Sequence, residues 1–139
     1  MALNHEVAFF LYLVVATLLF ALGVVFLVRR EFMPYHAVAV GTPWAEVPES
    51  FQILIRALLK FMGGTVITLS VAMFILLLIP FREGASWSIW AIPLLCLSQC
   101  VAIGNATTQI VRKTPGRPPV KALAVVAAIC IIAFAISIA

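Results

Sequence analysis

The sequence predicts an all-α integral membrane protein, a four-helix bundle with an amphipathic interfacial helix between the first and second spans. Three observations lead there. Hydrophobic residues make up 65% of the chain and charged residues 10%, with a mean hydropathy of +1.20, more apolar surface than one soluble core of this size can hide. Four apolar runs recur along the chain, separated by polar connections. The charged residues gather at the borders of those runs, where they act as topology determinants.

The elements follow in order as one membrane domain, residues 1–139. After a polar cap containing Asn4, His5 and Glu6, residues 7–28 carry no charge and are long enough to cross a hydrocarbon core of ~30 Å at ~1.5 Å per residue. Glu6 before this run and Arg29-Arg30 after it suit a retained anchor better than a cleaved signal. Residues 29–62 form an amphipathic segment outside the hydrocarbon. The second span is expected over about 63–80, ending at the tight connection Pro80-Phe81-Arg82-Glu83-Gly84, the third over 87–111 and the fourth over 122–139. Between the last two lies Arg112 to Pro119, whose prolines and charges predict a rigid, solvated turn.

Eight of the nine Lys and Arg residues fall in two connections, Arg29, Arg30, Arg56 and Lys60 in the first and Arg112, Lys113, Arg117 and Lys121 in the third, against Arg82 alone in the second. The positive-inside rule then places both basic connections in the cytoplasm and the two termini outside, the periplasm of a bacterial inner membrane. The net charge of +4 does not point to nucleic acid, because these cations border apolar segments rather than form a water-facing patch.

Within residues 29–62, Pro48 and Glu49 suit the first turn of a helix. Phe51, Leu54, Ile55, Leu58 and Met62 then share one face, and Glu49, Gln52, Arg56 and Lys60 another. Gly63-Gly64 predicts a bend that lays this helix in the headgroup layer, in preference to a straight helix that projects from the membrane. Tyr35, His36, Trp44, Arg56 and Lys60 are the candidate cytoplasmic interface. His36 could bind a metal or move a proton near neutral pH, but with His5 on the opposite side it has no second histidine, and a local hydrogen bond is the expected role.

Inside the third span Ser98, Ala102, Asn105 and Gln109 form one stripe with Gln99 adjacent. Such side chains either read a polar ligand or hold helices together, and packing is the preferred reading. Small residues recur every fourth position at Gly64, Thr68 and Ala72, at Thr17 and Ala21, and at Ala124 and Ala128, which predicts helix seams without saying whether all partners belong to this chain. Cys96 and Cys100 share a helical face that would suit a soft metal, yet three buried cysteines with no framework spacing read as small hydrophobes. No metal or cofactor is expected. No Asp or Glu lies within a span, no histidine pair could hold a haem, and nucleophile or phosphate-loop motifs are missing, so catalysis by this chain is not predicted.

The stretch Phe32-Met33-Pro34-Tyr35-His36, followed by Gly41, Trp44-Ala45-Glu46, Gln52 and Ala57-Leu58, resembles a group of small four-helix bacterial inner-membrane proteins to which no activity is assigned. The likeness extends to Ile79-Pro80-Phe81-Arg82 and Ala91-Ile92-Pro93-Leu94. In that group the last loop reads as a basic run followed by threonine, glycine and proline, an order that Arg112 to Pro119 departs from. The resemblance implies four spans in the inner membrane and no chemistry. Two functions remain: a non-catalytic accessory, assembly or oligomeric scaffold subunit that contacts lipid and either itself or another membrane protein, or a small-molecule or lipid binder or transporter using Ser98, Asn105 and Gln109.

Overall fold

A computed structural model describes residues 2–139 as five α-helices: α1 (Ala2–Val28), α2 (Pro34–Val40), α3 (Glu49–Leu76), α4 (Ser88–Lys113) and α5 (Val120–Ser137). Four of them are long and apolar enough to cross a membrane. A short 3-10 turn, Trp44–Glu46, precedes α3, and a π turn, Leu77–Phe81, ends it around Pro80. Proline lacks the amide that an α-helical register would use there, and the looser turn accommodates the loss.

Helix α1 is the centre of the bundle, packed between α3 and α5, with α4 resting mainly on α5. Its inward face recurs at three- and four-residue steps through Ala8, Tyr12, Val15, Ala16 and Leu19. These meet Val66 and Met73 of α3, Leu77 and Phe81 of the π turn, Ile92 and Cys96 of α4, and Cys130 and Ala133 of α5. The core therefore sits in the half of the bundle that ends at Phe81. The Ser70 hydroxyl donates to the Ala16 carbonyl at 2.7 Å and ties α3 to α1 within it.

Two sequence expectations are corrected. No bend occurs at Gly63-Gly64, because α3 and its π turn form one helical rod of 33 residues, Glu49–Phe81. The pair serves close approach instead. A Cβ on Gly63 would lie 2.7 Å from the Gly23 carbonyl oxygen and 2.6 Å from the Leu27 nitrogen, whereas one on Gly64 would meet nothing within 4 Å. Likewise, the small-residue pattern does not mark the seams between these helices. The face of α3 against α1 is Leu59, Gly63, Val66, Ser70 and Met73, while Thr68, Thr17, Ala21, Ala124 and Ala128 are exposed and Gly64 and Ala72 only partly covered.

A third correction concerns the connection after α4. Gly116 and Pro118 are buried rather than solvated. A Cβ on Gly116 would stand 2.8 Å from both the Ala39 side chain and the Tyr35 carbonyl oxygen, so this turn is clamped beneath α2 by the absence of a side chain.

Candidate functional site at the basic end of the bundle

Helix α2 begins where Met33 is extended and Pro34 occupies the first helical position, and it ends at Gly41 in the left-handed region at φ 70°. Both ends match the residues' conformational preferences. This short helix sets Tyr35 against His36 at a ring separation of 4.3 Å, and Phe32 lies edge-on to Trp44 at 4.8 Å. The Arg56 guanidinium stands 5.5 Å above the Trp44 ring and donates to Gln52 Oε1 at 2.9 Å. Gln52 in turn donates to the carbonyls of Trp44 at 3.0 Å and Val47 at 2.9 Å, pinning the turn before α3 onto the helix it precedes. From the end of α1, Arg29 donates to the Phe32 carbonyl at 3.3 Å.

Four of the five interface candidates, Tyr35, His36, Trp44 and Arg56, are thus brought into one aromatic and cationic cluster. Lys60 stands one turn further along α3, exposed. Phe32 and Gln52, which hold the cluster together, are not among the interface candidates; in sequence both belong to the resemblance pattern and Gln52 also to the polar face of α3. Burial pushes the His36 imidazole below its ordinary value and the Tyr35 phenol above its own, since a half-covered group loses hydration of its charged form. The cluster is a folded cap of edge-to-face rings, in which burial biases His36 toward the neutral form.

The α4 stripe is not gathered into a site. Ser98, Asn105 and Gln109 are exposed, Gln99 is partly so, and the Ser98 hydroxyl donates to the Leu95 carbonyl of its own helix at 2.9 Å. Among the described residues, Asn105 and Gln109 have no side-chain hydrogen bond within the chain. Helix pairing sets their height. Gly104 abuts Leu123, and Trp90 packs on Phe134 at 5.0 Å, so Asn105 is level with the first turn of α5, near Lys121, and Gln109 lies beyond it. On the other pair, the contact of Gly63 with Leu27 sets Lys60 level with Arg29.

At the opposite end His5, inside the first turns of α1, stacks on Phe81 at 4.2 Å, and its Nε2–H donates to the Phe81 carbonyl at 2.9 Å. The Phe81 carbonyl stands at the end of the helical run, where carbonyls lack intrahelical donors, and it also accepts from the Gly84 amide at 3.1 Å. An open recess of about 510 Å³ there is lined by His5, Glu6, Arg82 and Glu83 among others, and a second of about 400 Å³ lies beside Val25, Arg29 and Arg30. Neither includes a residue of the α4 stripe.

In the core, Cys96, Cys100 and Cys130 are free and buried, and the Tyr12 hydroxyl is buried without a partner among the described residues. No three His, Cys, Asp or Glu side chains there are grouped to hold a metal ion. No protein-family model, curated protein sequence or solved structure matches this chain.

Proposed function

We propose that the chain is a non-catalytic multi-pass protein of the bacterial inner membrane, an accessory or assembly subunit that works through contacts with neighbouring membrane helices. Its basic end is cytoplasmic and its termini periplasmic. The observation that carries this reading is the direction of the unsatisfied groups. Asn105 and Gln109 face out of the bundle without an intrachain partner, and the small residues Thr17, Ala21, Thr68, Ala124 and Ala128 also face outward. Polar groups at the edge of hydrocarbon are stabilised by a neighbour that hydrogen-bonds them, and small residues matter where backbones approach closely.

Among the described residues the buried serines Ser70 and Ser88 each donate to a backbone carbonyl, and the buried Tyr12 hydroxyl has no partner. The ligand-binding alternative loses support because Ser98, Asn105 and Gln109 are exposed on α4 and are not gathered into a site. Native mass spectrometry of the protein released gently from its own membrane tests the proposal. Higher oligomers or a co-purifying membrane protein are expected, and a strictly monomeric species with nothing bound refutes it.

A further inference from the structure

At the junction of α1 with the first connection we infer a headgroup site for a phosphoethanolamine phospholipid, with its phosphate on Arg29 and Arg30 and its ammonium on Glu31. The inference rests on the membrane reading proposed above, and it concerns a place apart from the α4 stripe. The recess of about 400 Å³ at this junction is lined by Val25, Val28, Arg29, Arg30 and Glu31. Its character changes from apolar to charged along the chain.

That change falls where a bilayer changes in the same way. Residues 7–28 carry no charge, and at ~1.5 Å per residue they match a hydrocarbon core of ~30 Å. Arg29 therefore stands at the depth of the lipid phosphates. On its membrane side Val25 and Val28 are 43% and 66% exposed, a wall that suits acyl chains and offers nothing to a soluble anion. A phospholipid is apolar below and charged above, the order that this wall and rim complement.

Arg29 is held in place for an anion. Its Nη2 donates to the Phe32 carbonyl at 3.3 Å, and Phe32 is itself buried and lies edge-on to Trp44 at 4.8 Å. Its Nε is covered and has no partner among the described residues. The guanidinium is thus a partly desolvated cation short of acceptors, and a phosphate supplies the opposite charge through bonds to its terminal nitrogens. Arg30, exposed beside it, adds a second set of donors. A headgroup bound here fastens the Phe32 and Trp44 cap to the bilayer surface through Arg29.

The balance of charge selects the headgroup. Two guanidinium groups share the recess with the Glu31 carboxylate and with about half a negative charge at the C-terminus of α1, so the net field is small. An anionic headgroup gains little from it. A zwitterion gains from both signs, and a primary ammonium donates N–H bonds to the Glu31 carboxylate that a trimethylammonium lacks.

Native mass spectrometry of the full-length chain tests this after exchange into equal parts of phosphoethanolamine, phosphoglycerol and phosphocholine lipids with identical acyl chains. Preferential retention of the phosphoethanolamine lipid is expected. Glu31→Gln should remove its preference over the phosphoglycerol lipid, and the double variant Arg29→Gln and Arg30→Gln should lower retention of all the lipids severalfold. The double variant Lys113→Gln and Arg117→Gln makes the same charge change at exposed positions of the third connection and should leave retention unchanged. Arg30→Gln alone, which keeps the Phe32 bond, should also lower retention, and it serves if the Arg29 variant loses its helical circular dichroism. No preference, a preference for another headgroup, a preference that survives Glu31→Gln, or equal losses in the two double variants overturns the site. Displacement of the lipid by inorganic phosphate identifies a free-anion site, and loss of a bound protein instead of lipid in the Arg29 and Arg30 variant identifies a partner chain; either overturns the lipid assignment. A monomer that keeps the lipid leaves the site standing while the assembly reading falls. Release of the chain from membranes by alkaline carbonate removes the membrane reading itself.

Discussion

Replacing Gly63 by alanine should destabilise the protein, and the same change at Gly64 should not. At Gly63 the new Cβ would meet the Leu27 nitrogen at 2.6 Å, the Gly23 oxygen at 2.7 Å and the Leu27 Cα at 2.9 Å. All three are backbone atoms of α1 and cannot rotate away. Ordinary contact begins near 3.4 Å, so α1 and α3 must part by most of an ångström, a gap that forfeits roughly a quarter to a half of the dispersion energy at each contact. Overpacking of this kind costs about 1–3 kcal/mol, against which alanine's better helix propensity returns about 1 kcal/mol. The net expectation is a loss of about 1 kcal/mol for Gly63→Ala and a gain of about 0.5–1 kcal/mol for Gly64→Ala, which has open space. The two variants should then differ by about 2 kcal/mol, roughly thirtyfold in the unfolding equilibrium. Unfolding in mixed micelles, followed by circular dichroism, reads this difference. A Gly63→Ala protein as stable as Gly64→Ala would refute the close contact.

Three further outcomes are expected. Ser70→Ala removes the buried bond to the Ala16 carbonyl and should cost about 1 kcal/mol, while Thr68→Ala, which loses only a bond within its own helix, should stay within about 0.5 kcal/mol in the same unfolding assay. Tyr12→Phe should be neutral or stabilising by about 1 kcal/mol, because the hydroxyl it deletes is buried without a partner; a large loss would reveal a hydrogen bond not seen here. Because burial lowers the His36 value from 6.5, the docked cap binds fewer protons than the undocked loop in the window just below that value. Its docking is then strongest above about pH 6.5 and weakens as pH falls through the lowered value. Protection factors over α2, amide exchange rates corrected for their intrinsic pH dependence, should fall on acidification and lose that fall in His36→Phe; wild-type protection that does not change with pH would contradict it.

The four long helices were legible because run length and charge placement are local properties, and the start of α3 at Pro48-Glu49 was legible for the same reason. The role of Gly63-Gly64 was not. Paired glycines suit either redirection or close approach, and only Gly23 and Leu27, far earlier in the chain, decide between them. The four-residue repeats of small residues marked surfaces on which helices can approach, but periodicity does not say whether the approaching helix belongs to the same chain. Gly116 illustrates the same limit. Its neighbours in sequence are prolines and cations that speak of solvent, while its neighbours in space are Tyr35 and Ala39. At the candidate site the aromatic residues were visible and their assembly was not, since it depends on Gln52 reaching back to the Trp44 and Val47 carbonyls.

The bundle's own packing leaves its outer surface unexplained in two opposite ways. Within the apolar length, small residues such as Thr68, Ala124 and Ala128 are exposed, although lipid chains would be equally well served by leucine. Beyond the level of Arg29 and Lys60, Phe51, Leu54 and Leu58 are exposed. Under the assembly reading proposed above a neighbouring helix accounts for both, because close backbone approach in lipid selects small side chains and burial from water selects large apolar ones.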